Sequence, residues 1–149
     1  MAKHIRLVFD DERVTASALL LEREAPRTCD AVWNALPFEG ELIHAMWSGP
    51  ETYLPVDPRI VAPPEHQSVQ PLPGEIGYYS LPGGRMIGWP EDMAELAFFY
   101  DRGARPSMPV GPVAMNIFAR IVENLEGFAE ICARTHREGV KRLSVTRDS

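Results

Sequence analysis

The chain has 149 residues, a length that one domain fills, and at about this size a fold buries roughly 68–70% of its unfolded surface. A hydrophobic fraction of 45% with 24% charged residues suits a packed core and excludes an intrinsically disordered chain. The formal charge of −6, from 21 acidic against 15 basic residues, repels phosphate backbones and anionic lipid, so neither nucleic acid nor a membrane surface is an expected partner. The basic C-terminal residues Arg134, Arg137, Lys141, Arg142 and Arg147 do not make a broad basic face, and part of the group reads as cations at a helix C-terminus.

The first residues, MAKHIRLVFDD, enter an alternating pattern at once, without the apolar stretch of a signal peptide. No run of about 18 apolar residues follows, and a cytoplasmic location is the expectation. In His4–Asp10 the residues Ile5, Leu7 and Phe9 alternate with His4, Arg6 and Asp10; Val14, Ala16, Ala18 and Leu20 share one face of a second run. With Asp10, Asp11 and Glu12 as the turn, the two make an antiparallel hairpin. In EREAPRTCDAVWNALP, Cys29, Val32, Trp33 and Leu36 stand at helical spacing between Pro26, suited to a first turn, and Pro37, which prevents continuation. Strands are expected over Leu42–Ser48 and Glu51–Leu54, flanking the Ser48-Gly49-Pro50 turn.

Six of the 14 prolines lie between Pro55 and Pro73, which excludes helix and central strand there. Such a long loop is either a functional lid or a connector over a barrel end. Strand patterns resume at Glu75–Leu81, Arg85–Trp89 and Glu95–Asp101, and a last one over Met115–Val122 leads into a helix over Asn124–Glu138. Leu125, Phe128, Ala129 and Cys132 form its apolar stripe, Glu123 and Glu126 stand at its positive end, and Gly139 is its cap. Val140–Val145 is a final extended piece. Cys29 and Cys132 fall on helical stripes with no CxxC partner and read as buried free thiols. Seven to nine short strands with two distant helices exclude a βαβ pattern and leave a single, mostly antiparallel β domain over residues 1–149. Closure into a barrel would remove its exposed edges.

Two segments resemble cyclophilins. Ala25-Pro26-Arg27-Thr28-Cys29 leading to Val32-Trp33-Asn34-Ala35-Leu36 is similar to their first helix, and Ile117-Phe118-Ala119-Arg120-Ile121-Val122-Glu123-Asn124-Leu125-Glu126 to the strand that runs into their closing helix. Pro73-Gly74-Glu75-Ile76-Gly77-Tyr78-Tyr79 looks like a stretch of an uncharacterised bacterial family with the same barrel. The resemblance implies a cyclophilin-like closed eight-stranded barrel with one helix near each open end. Where cyclophilins carry Phe-His-Arg, this chain reads Ile43-His44-Ala45, so the cation that polarises a twisted prolyl amide is missing and prolyl isomerisation is disfavoured.

No GxSxG, P-loop, GxGxxG or HExxH motif is present, and His4, His44, His66 and His136 show no ligand spacing, so neither a metal nor a cofactor is expected. The segment IHAMWSGPETYLP gathers His44, Trp47, Glu51 and Tyr53, with His44 and Glu51 as a candidate acid–base pair. The alternative is equally concrete: alternation sets His44 with Leu42 and Met46, opposite Trp47, as a satisfied barrel residue. Further candidates for ligand binding are Tyr78, Arg85, Trp89 and Arg102, the arginines suiting an anionic ligand. Two functions follow from these residues. One is a small-molecule-binding or catalytic cleft, overhung by the Pro-rich loop, in which His44, Glu51 and Arg85 converge. The other is a non-catalytic module that assembles with itself as a homo-oligomer.

Overall fold

A computed structural model describes residues 1–148. In chain order the elements are β1 (His4–Phe9), β2 (Val14–Leu20), α1 (Pro26–Ala35), β3 (Phe38–His44), β4 (Glu51–Val56), β5 (Gln67–Ser68), β6 (Glu75–Leu81), β7 (Met93–Phe99), β8 (Ser107–Met108), β9 (Gly111–Pro112), β10 (Met115–Glu123), α2 (Leu125–Glu138) and β11 (Lys141–Asp148). Eight strands run in the order β2-β1-β11-β3-β4-β7-β6-β10, and a β2–β10 pairing closes them into an antiparallel barrel. No helix among the described residues is long and apolar enough to cross a membrane.

Because successive side chains of a strand point to opposite faces, the register decides what fills the barrel. Ile5 faces Ala18 and Leu7 faces Ala16 across the first hairpin. Thr52 faces Phe98 and Leu54 faces Leu96 between β4 and β7, and Tyr78 faces Leu96 from β6. All of these point inward and are buried. At one end α2 drives Phe128 between Phe9 and Phe98, with ring centroids 5.1 and 5.4 Å away. Its N-cap, Asn124, accepts the Gly127 N–H (3.1 Å) and donates to the Thr15 carbonyl (3.0 Å), tying the helix to β2. A Cβ on Gly127 would lie 2.6 Å from the Asn124 amide, so the cap requires glycine there. Glu12, in the turn between β1 and β2, accepts hydrogen bonds from Lys141 and Arg134, and these cations hold its carboxyl below the usual range.

At the other end α1 covers the barrel, its Cys29 thiol donating to the Phe118 carbonyl at 3.3 Å. Both cysteines are buried and free. The first helical turn lacks a side-chain cap from Ala25. Glu65, from the Pro-rich segment, supplies the acceptor instead, taking the Thr28 N–H (2.5 Å) and hydroxyl (2.8 Å). Asn116, His66 and the Tyr78 hydroxyl pin the same segment to β10 and β6. Ile60 and Ala62 pack on the core. The segment therefore plugs the α1 end of the barrel as a connector.

The structure moves two expected strands. The one placed over Leu42–Ser48 is β3, Phe38–His44: the chain turns extended as soon as Pro37 ends α1, and Trp47–Pro50 is a bend. The one placed over Arg85–Trp89 is a loop with only a Met86–Trp89 bridge, because Gly84 and Gly88 take positive φ there. Pro55 is the exception to the proline argument, lying inside β4 opposite Glu95.

Glu65→Ala removes the acceptor for an otherwise orphaned helix N–H, with an expected loss of about 1–2 kcal/mol. Glu65→Gln keeps an acceptor oxygen and should lose less. Urea unfolding of the two variants measures the difference, and equal loss or none would contradict this capping role.

Candidate functional site

The wall β4–β7–β6–β10 is apolar on its outer face as well as its inner one. Outward-facing Ala97, Phe99, Met115 and Ile117 form a second buried cluster with Ala104. Gly77 makes room for it: a Cβ there would stand 3.1 Å from Met115 and 3.2 Å from Phe99. An apolar outer face must be covered, and the segment carrying β8 and β9 does so. Ser48 fastens that cover, its hydroxyl accepting the Ser107 N–H (3.0 Å) and its carbonyl accepting the Arg105 N–H (2.9 Å).

Between wall and cover lies a cavity of about 220 Å³ lined by Trp47, Ser48, Glu51, Tyr53, Trp89 and Glu95, with methionines 46, 93, 108 and 115 among its apolar residues. Its volume is below the range of about 300–1,000 Å³ usual for drug-sized ligands. Its polar floor is the carboxyl groups of Glu51 and Glu95, which are 3% and 5% exposed. Glu51 Oε1 and Glu95 Oε2 are buried and have no hydrogen-bond partner among the described residues. Burial is the main force on both acids. It raises Glu51 to about 7 against an opposing hydrogen bond with Ser48. It raises Glu95 to about 8, and the charge of Glu51 pushes in the same direction. The Tyr53 hydroxyl is raised by burial, then by Glu95 and Glu51, and that of Tyr79 by burial and Glu95. The site thus gathers carboxyls that titrate near neutrality within aromatic and thioether walls. No Lys, Arg or His lines it.

Of the residues selected in the sequence, Trp47, Glu51, Tyr53 and Trp89 meet in this cavity, and His44, Tyr78, Arg85 and Arg102 do not. His44 pairs with Thr52 across β3 and β4, while Glu51 is the next residue and points to the other face. The imidazole is fully engaged in its neutral form, Nδ1 with the Ala45 carbonyl and Nε2 with the Tyr100 hydroxyl, each at 2.8 Å. It stacks on His136, centroids 3.5 Å apart, and burial lowers its pKa. The acid–base pair of His44 with Glu51 is therefore not assembled, and His44 is a satisfied residue at the α2 end. Tyr78 faces inward and donates to the Ile60 carbonyl. Arg85 and Arg102 are exposed on separate loops, Arg102 beside Gln70 and Leu72, so the expected basic cleft for an anion is replaced by an acidic one. The Pro-rich loop does not overhang it.

Sequence reasoning missed Glu95. Its signal was a lone acid in the apolar run Met93-Ala94-Glu95-Leu96-Ala97-Phe98-Phe99, where a strand buried on both faces leaves a carboxyl no route to water. Among the described residues no group of three or more His, Cys, Asp or Glu is placed to hold a metal ion.

Comparison with solved structures agrees on the architecture. The structure of McbB in complex with tryptophan superposes with a TM-score of 0.70 at 18% identity, over 97% of this chain and 45% of McbB. The chain thus spans less than half of that protein. The solution structure of the hypothetical protein AF2241 from Archaeoglobus fulgidus superposes with a TM-score of 0.56 at 22% identity, over 99% of this chain and 95% of its own. At these identities the likeness is one of fold. None of the curated proteins matches the chain. Residues 7–147 match the family model described as a protein of unknown function, DUF3830, and the chain, an eight-stranded barrel with two helices, belongs to that family.

Proposed function

We propose that this protein binds a small molecule in the cavity on the outer wall of its barrel, with Glu51 and Glu95 as its recognition and proton-handling groups. The observation that carries the reading is the pair of buried carboxyl oxygens without partners at the floor of an otherwise apolar cavity. Leaving a buried polar group unpaired costs about 1–3 kcal/mol, and such a cost is commonly retained where the group has work to do. Carboxyls that titrate near pH 7 can deliver a proton to a bound ligand or accept one from it. The likeness in fold to McbB, solved with tryptophan, adds a precedent for a small ligand on a protein containing such a barrel. Prolyl isomerisation gains no support, since no cation lines the cavity.

Trp47 and Trp89 make the binding observable. Ligands from a fragment screen are expected to shift their indole N–H resonances and leave that of Trp33 unmoved, because Trp33 lies elsewhere, between Lys3 and Arg147. A screen in which Trp33 responds and the other two do not would contradict the assignment.

The carboxyls also set a pH dependence. Both are raised above the ordinary value of 4.5, so between about pH 4.5 and 8 the native state holds more protons than the unfolded chain, and stability falls as pH rises through that window. At about 1.4 kcal/mol per pKa unit the loss is on the order of a few kcal/mol. Glu95→Gln removes part of it. Its melting temperature is expected to exceed that of the unmodified protein near the alkaline end of the window and to converge with it near the acidic end. Parallel melting profiles across pH would contradict the burial of these charges.

Self-association is supported by a separate observation. Met46, Ile87 and Val110 are 81%, 97% and 75% exposed on the loops that also supply cavity residues Trp47, Trp89 and Met108. Apolar surface of this kind favours a second copy of the chain. Light scattering at micromolar concentration should give a multiple of 16.7 kDa, and a monomer would count against it.

A further inference from the structure

The geometry points to a ligand class for this cavity: an apolar, preferably aromatic, primary amine, bound with its ammonium group between Glu51 and Glu95 and its body against Trp47, Trp89 and Tyr53. The inference rests on the cavity being a binding site, as proposed above, and adds the chemistry of the occupant.

Three features select an ammonium. The first is charge. The lining carries two carboxyls and no Lys, Arg or His, so no protein cation competes for them. The second is hydrogen bonding. Glu51 Oε1 and Glu95 Oε2 are acceptors without donors, and an ammonium carries three donors and no acceptor. An anion or ether can pair with these oxygens only while the acids keep their protons, and an alcohol offers one donor. The third is the wall. Two indoles and a phenol line the same cavity as the carboxyls, and aromatic faces attract cations as well as flat apolar groups. The four lining methionines adapt to an irregular apolar body. The volume of about 220 Å³ limits that body to about one ring system with a short arm.

The groups facing the carboxyls are Ser48 and Tyr53 from the same stretch of chain, Tyr79 from β6 and each carboxyl from the other. None supplies a positive charge. An arriving ammonium is then the cation that lets both acids ionise, so binding releases protons to solvent in the window where they are still protonated. For the same reason affinity rises with pH between about 5.5 and 8, as long as the amine itself stays charged.

The test uses matched pairs that differ only at the polar end: 2-phenylethylamine with 2-phenylethanol, and tryptamine with tryptophol. Binding is followed by the Trp47 and Trp89 indole resonances and by calorimetry in buffers of different ionisation enthalpy. The amine of each pair is expected to bind at least about tenfold more tightly than its alcohol at about pH 8. Its binding should release protons, and the preference should fall to within about twofold in Glu51→Gln and Glu95→Gln. Because the variants could alter packing, the pH dependence in the unmodified protein provides the second reading. Alcohols that bind as well as amines, or amine affinity that is flat with pH, would overturn the amine inference while leaving the cavity as a neutral-ligand site. If neither member of any pair shifts Trp47 or Trp89 at millimolar concentration, the amine inference falls. The cavity proposal falls with it only if the wider fragment screen is also silent.

Discussion

Closure of the sheet on itself, through the pairing of β2 with β10, is the constraint from which the other features follow. Closing an eight-stranded sheet gives each strand an inward face that side chains must fill, and here alternation sends Ile5, Leu7, Ala16, Ala18, Leu54 and Leu96 into that space. The two ends then need plugs. Phe128 of α2 supplies one, and α1 with the Pro-rich connector supplies the other. The interior is consumed by packing, and the cavity that carries Glu51 and Glu95 lies on the outside of the barrel wall.

That outer cavity arises because one sector, β4–β7–β6–β10, is largely apolar on both faces and carries a cover of its own. Glu51 and Glu95 sit between wall and cover, at outward positions two acids would not occupy for stability. Moving a carboxylate out of water costs several kcal/mol after relaxation, so near neutrality much of the population carries protonated acid at the floor, as the raised values of about 7 and 8 express. Apolar residues of similar volume would complete the same wall without that cost. A bound cation, as proposed above, would offset part of that cost.

Much of the frame was legible in the sequence, and the reason is local. The hairpin of β1 and β2 and both helices each combine a recurring period with a turn or capping residue beside it, such as Pro26, Pro37 or Gly139, and β6 and β10 are apolar runs bounded by turns. β3 was misplaced because its pattern, Phe38-Glu39-Gly40-Glu41-Leu42, mixes acids with a glycine, whereas the bend at Trp47 looks apolar and strand-like. In the site, Trp47, Glu51, Tyr53 and Trp89 could be singled out by residue type. Which face each occupies depends on register, and register separates His44 from Glu51 although seven positions divide them in the chain. Glu95 and the cover carrying Ser107 and Met108 come from distant segments, so only closure of the barrel brings them to Glu51. Glu65 at the start of α1 belongs to the same class: a cap supplied 37 positions away leaves no local signature.

Everything proposed for the cavity depends on Glu51 and Glu95 being buried, each with one carboxyl oxygen lacking a partner, and largely protonated near neutrality. Carbon-13 labelling of glutamate and an NMR titration of the side-chain carboxyls, assigned with the two glutamine variants, measures this directly. Two carboxyls with midpoints near 7 and 8 are expected, assigned to Glu51 and Glu95. Midpoints near the ordinary value of 4.5 for both residues would contradict it.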